Sequence, residues 1–117
     1  MHPSRPSLPK IYGTQIGLQS WQLVDQIKAD MLAGRFLDAE KRACIAGLCD
    51  QRGVYYVEVG HYRMVAALEI YKETGNADHV LELIRHGRWA YDQKPPHNRR
   101  PLPARNWWGA FRHWLGW

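Results

Sequence analysis

Proline placement constrains this chain more than any other feature. None of its seven prolines falls between Lys10 and Lys94. Pro3, Pro6 and Pro9 precede that interval, and Pro95, Pro96, Pro101 and Pro103 follow it. Proline fixes φ and removes a backbone donor, so both ends read as extended, polyproline-like stretches, while the middle is free to form regular elements. The 117 residues therefore divide into an extended arm at 1–15, a body at 16–93, a basic proline-rich linker at 94–105 and a terminal segment at 106–117.

Charge follows the same division. Residues 1–84 carry 9 Lys and Arg against 10 Asp and Glu, whereas residues 85–117 carry 7 against Asp92 alone. The net charge of +5 thus resides in the tail, which suits a polyanionic partner. A hydrophobic content of 45% is that of a globular chain. No apolar run reaches the roughly 18 to 20 residues of a membrane span, and the N-terminus lacks a signal-type apolar core. A cytoplasmic location is expected. Cys44 and Cys49 lie five apart; on a helix they would point roughly 140° from each other, which argues against a disulfide. Neither a metal nor a cofactor is expected.

The body reads as mainly α. Ser20 can cap a helix whose apolar positions Trp21, Val24, Ile27 and Met31 recur at helical spacing, with Gly34 ending it. Asp38 can cap a second helix carrying Ile45, Leu48 and Cys49 on one side, with Gly53 after its end. "GVYYVEVG" is β-rich but short, and reads equally as a turn into a third helix. "HYRMVAALEIYKET", from His61 to Thr74, is strongly helix-forming and stops at Gly75–Asn76. "ADHVLELIRHGRWAYDQ" reads either as a helix capped near Asp78 or as two short strands, Val80 to Ile84 and Arg88 to Tyr91.

Within "IAGLCDQRGVYYVEV", Leu48 and Cys49 precede a turn glycine, Gly53, and Val59 falls where a second helix would meet the first. That is the spacing of a helix-turn-helix, whose second helix would present Tyr55, Tyr56, Glu58 and His61 to a DNA groove, with Arg63 following. Residues 18–62 resemble the N-terminal head of GntR-type winged-helix regulators. The resemblance rests on "LVDQIKADMLAGRF", on Phe36 two residues after Gly34, on Asp38 and Glu40 in the cap region, and on the "GV" at Gly53–Val54. It implies a helix-turn-helix or winged-helix-like fold. Tyr55, Tyr56 and Glu58 would then lie on the reading helix, and Arg85, His86 and Arg88 at a wing tip.

"NWWGAFRHWLGW" closes the chain with four of its six tryptophans. As a helix it would gather Trp107, Trp108, Phe111, Trp114 and Leu115 on one face, with Arg112 and His113 outside it and Trp117 at the end. It can pack on the body, anchor a partner protein, lie at a membrane interface or stack on bases. No nucleophile elbow, phosphate loop, HExxH or CxxC pair appears, so no catalysis is expected.

Two functions follow. The first is a non-enzymatic nucleic-acid-associated factor, a helix-turn-helix regulator binding DNA or RNA, with Arg85, Arg88, Arg99, Arg100 and Arg105 supplying phosphate attraction and a homodimer as one assembly. The second is a small helical interaction module of a nucleoprotein complex, contacting a protein through its helices and the Trp-rich end. A hairpin around His86–Gly87 with Tyr55 and Tyr56 exposed favours the first; buried tyrosines and a further helix through "HVLELIRHG" favour the second.

Overall fold

The computed structural model describes residues 8–15, 20–34 and 45–105. The fold is α/β rather than mainly α. Five strands, β1 (Ile11–Gly13), β2 (Ala46–Cys49), β3 (Tyr55–Val59), β4 (Arg88–Tyr91) and β5 (Arg100–Pro101), form one mixed sheet in the order β4-β2-β3-β1-β5. Three described helices accompany it: α1 (Trp21–Leu32), α2 (His61–Thr74) and α3 (Asp78–His86).

The correction falls on the expected helix-turn-helix. Ala46–Cys49 is strand β2, not the end of a helix, and Tyr55–Val59 is strand β3, not a reading helix. The two pair antiparallel as a hairpin. The turn between them explains why. Asp50 accepts the amide hydrogens of Arg52 (2.9 Å) and Val54 (3.1 Å) on one carboxylate oxygen, its carbonyl accepts from Gly53, and Gly53 takes the left-handed conformation at φ 76°. Such an Asp-initiated, Gly-closed turn reverses a β-ladder. Gly47 completes the case, because a Cβ there would sit 1.9 Å from the Tyr56 carbonyl oxygen and 3.0 Å from the Trp89 ring. Close strand approach, not helix crossing, requires this glycine.

The winged-helix expectation fails at a second place. "DHVLELIRH" is helix α3, and Arg88–Tyr91 is a strand pairing parallel with β2, so no hairpin forms at His86–Gly87. The arm also contributes, since β1 lies inside the sheet, parallel to β3. Helix α1 forms as its spacing predicts, with Leu23 N–H donating to Ser20 Oγ at 3.2 Å. Helix α2 spans His61–Thr74 and stops at left-handed Gly75. Asp38, Phe36, Glu40 and Cys44 lie outside the described residues.

The core forms between the helices and one sheet face. Val24 and Met31 of α1, Met64, Val65 and Ile70 of α2, and Val80 and Leu83 of α3 close on Ile45 and Val57. Alternation along β3 sends Tyr56 to the opposite face. There it stacks on Tyr12 (centroids 5.8 Å apart) and donates its hydroxyl to Asp50 Oδ2 at 2.8 Å.

Candidate nucleic-acid interface

Strand directions define one distinctive end of the sheet. β1 and β3 run parallel and finish together at Gly13 and Val59. β2 and β4 run the other way and begin there, Ala46 pairing with both Val59 and Arg88. β5 begins there too, Arg100 opposite Gly13. This end is the carboxyl end of the parallel pair β1 and β3 and the amino end of the parallel pair β2 and β4.

Helix α2 starts at this end. Its N-cap is Gly60 in the left-handed conformation (φ 94°), without a side-chain cap and with no acidic residue in the first turn. The Arg63 amide already donates to the Gly60 carbonyl at 3.1 Å; the amides before it have no acceptor within the helix and carry the positive end of its dipole, a setting that favours anions. His61 opens the helix and is 4% exposed. Its Nε2 accepts the Thr14 amide hydrogen at 3.1 Å, and Thr14 Oγ1 donates to the Val57 carbonyl at 3.1 Å. Burial pushes the His61 pKa below its ordinary value, which outweighs the opposite influence of the Val57 carbonyl, so the imidazole stays neutral.

Two arginines lie at this end of the sheet. Arg88 opens β4 at one edge of the sheet and Arg100 opens β5 at the other; both are exposed. Four interstrand spacings separate them, about 19 Å. Arg85, at the end of α3, sits three residues from Arg88 and pairs with Glu82 at 3.3 Å, as His86 does at 3.1 Å. Exposed Arg99 precedes Arg100. Glu58 and Arg88 both line a shallow depression of 540 Å³ floored by Ala46, Gly47, Leu48 and Ala90.

The expected site residues therefore separate. His61, Arg88 and Arg100 lie at one end of the sheet, but the arginines stand at opposite edges, Arg88 on the face away from the helices and Arg100 on the helical face. Tyr55 and Tyr56 do not present themselves as readers. Tyr56 is 2% exposed, and half-buried Tyr55 packs edge-on against Trp89, 4.9 Å between centroids. Arg63 is half-buried on α2. Arg105 turns inward to carboxylates: its Nε donates to Glu69 Oε2 at 3.1 Å, and an Nη donates to Glu69 Oε1 at 3.0 Å and to Asp25. That cluster escaped sequence reasoning; a lone Glu on the apolar face of "HYRMVAALEIYKET" was its one available signal. Trp107, Trp108, Phe111, Arg112, Trp114 and Trp117 lie outside the described residues.

No protein-family model, curated protein or solved structure matches the chain. Among the described residues, no helix is long and apolar enough to cross a membrane.

Proposed function

We propose that the chain is a non-enzymatic nucleic-acid-associated factor that holds the phosphate backbone of DNA or RNA along the end of the sheet where β1 and β3 finish and α2 starts. One observation carries the reading: exposed Arg88 and Arg100 open the two edge strands at the end of the sheet where α2 starts. Backbone amides and arginines are the groups that recognise phosphate, and phosphate contacts position a protein without reading bases. The basic excess of residues 85–117 supports the same reading. Binding to a random-sequence duplex and to single-stranded RNA, at about 50 and about 200 mM salt, tests it, because counterion release makes phosphate-driven affinity fall steeply with salt.

A second reading, an interaction module in a nucleoprotein complex, is favoured by a specific observation. Tyr56 is buried and "DHVLELIRH" forms helix α3, leaving Leu81 of that helix exposed. Absence of nucleic-acid binding by the isolated chain at low salt, with retention of a protein partner, would select it.

A further inference from the structure

Glu69 occupies an unusual place. It is 4% exposed on α2, next to core residue Ile70 and a turn from Val65 and Ala66. A carboxylate at that depth is strongly unfavourable unless cations satisfy it, and an apolar residue would pack there at less cost. Two cations do satisfy it. Lys28 Nζ donates to Glu69 Oε1 at 3.0 Å and to Glu73 at 2.7 Å. Arg105 grips both Glu69 oxygens, reaches Asp25, and lies over the Trp21 ring, 4.9 Å from its centroid. Lys28 alone would neutralise the charge. The two-oxygen grip matches the planar fork of an arginine.

The path of the chain shows what that grip fastens. β4 ends and β5 begins at opposite edges and opposite ends of the sheet. Residues 92–99 must therefore cross it diagonally, within the roughly 28 Å that they can span. The helices occupy one face. After β5 the chain passes to the helical side, with Leu102 against Gly13, and Arg105 enters the gap between α1 and α2. Residues 92–105 thus form a belt that runs from one edge of the sheet to the other and ends at the Arg105 contacts. The belt has few ladder bonds of its own, because β5 is two residues long and Pro95, Pro96, Pro101 and Pro103 lack amide hydrogens.

We infer that Asp25 and Glu69 form a socket that fastens this belt through Arg105, and that the fastening sets Arg100 beside the start of α2. Arg105 is a positioning residue in this scheme. The second half of the inference rests on the proposed phosphate-binding edge; the first half does not.

Two variants test it. Asp25→Asn/Glu69→Gln empties the socket of charge, and Arg105→Lys keeps the charge but loses the fork. In the full chain without nucleic acid, tryptic cleavage after Arg99 should accelerate about tenfold in both, because Lys94 and Arg100 precede prolines and resist trypsin and a segment held by fewer contacts opens more often. Hydrogen exchange in 61–74 should stay slow in Arg105→Lys, which separates belt release from global unfolding. Unchanged cleavage in both variants would overturn the socket. So would equal acceleration of exchange in 61–74 in Arg105→Lys. Binding to a random duplex then reads the second half by its sign. Asp25→Asn/Glu69→Gln makes the chain more positive, so long-range electrostatics alone would tighten binding, whereas loss of Arg100 placement weakens it. Tighter binding overturns that half. If the unsubstituted chain binds no nucleic acid, the phosphate reading fails while the cleavage rates still decide the socket.

Discussion

His61 Nε2 accepts the Thr14 amide hydrogen at 3.1 Å, joining residues 47 apart in sequence and tying the end of β1 to the first residue of α2. An imidazole nitrogen can accept only when it carries no proton, so this bond exists only for neutral His61.

Acidification should therefore loosen this end of the sheet. The folded-state pKa of His61 lies below its ordinary value of 6.5. Between that folded value and 6.5 the unfolded chain binds the extra proton, so stability is full above pH 6.5 and falls as pH drops through this window. Thermal midpoints measured from pH 7.5 to 5 should decline for the native chain and decline less for His61→Gln. Parallel curves would refute the assignment.

A separate loss follows at lower pH. Burial raises the Asp50 pKa, but hydrogen bonds from Val54, Tyr56 and Arg52 outweigh it, leaving the carboxyl below its ordinary 3.8. Its contribution is present above that value and disappears as pH falls below it. Tyr56→Phe removes one of those bonds from a buried acceptor and should cost about 1–3 kcal/mol. Urea unfolding at pH 7 measures this directly, and a change within error would show that the hydroxyl bond is not stabilising.

Gly47→Ala should be far more damaging than its size suggests. The new Cβ meets the Tyr56 carbonyl at 1.9 Å, a backbone atom that cannot swing aside. Overpacking of this kind costs about 3 kcal/mol or more. Gly53→Ala meets open space but must hold φ at 76°, which costs about 1–2 kcal/mol. The order of the two losses, measured by urea unfolding, distinguishes a steric from a conformational glycine; equal losses would contradict it.

These positions also show how far the fold is legible in the sequence. Helices α1 and α2 are legible because Ser20 supplies a cap, apolar residues recur at helical spacing in α1, and good helix formers run unbroken from His61 to Gly75. The hairpin is misread because "AGLCDQRG" satisfies two grammars. A glycine that follows apolar positions closes a helix-turn-helix or, with Asp50 three residues before it, a β-turn. What decides is the pairing of β3 with β1, a contact between residues more than forty apart that no local spacing contains. Pro101 is tolerated in β5 because that strand is at the edge of the sheet, and Pro9 precedes internal β1 without interrupting it. At the candidate site, charge made Arg88 and Arg100 legible. Their placement at one end of the sheet came only from strand direction. Arg105 was grouped with them because its charge is the same, and its carboxylate partners on α1 and α2 were invisible without the fold.

The most direct measurement compares two doubly substituted chains of equal charge. Arg88→Gln/Arg100→Gln removes the two arginines at the end of the sheet where α2 starts, and Arg52→Gln/Lys94→Gln removes two exposed cations from the opposite end. Affinity for a random duplex is followed from about 50 to about 200 mM salt. Loss of two phosphate contacts should flatten the salt slope by about 1.8 in the first chain and leave the second near the unsubstituted value. Equal flattening in both would mean that net charge alone attracts the nucleic acid, and no binding by the unsubstituted chain would remove the phosphate-binding edge altogether.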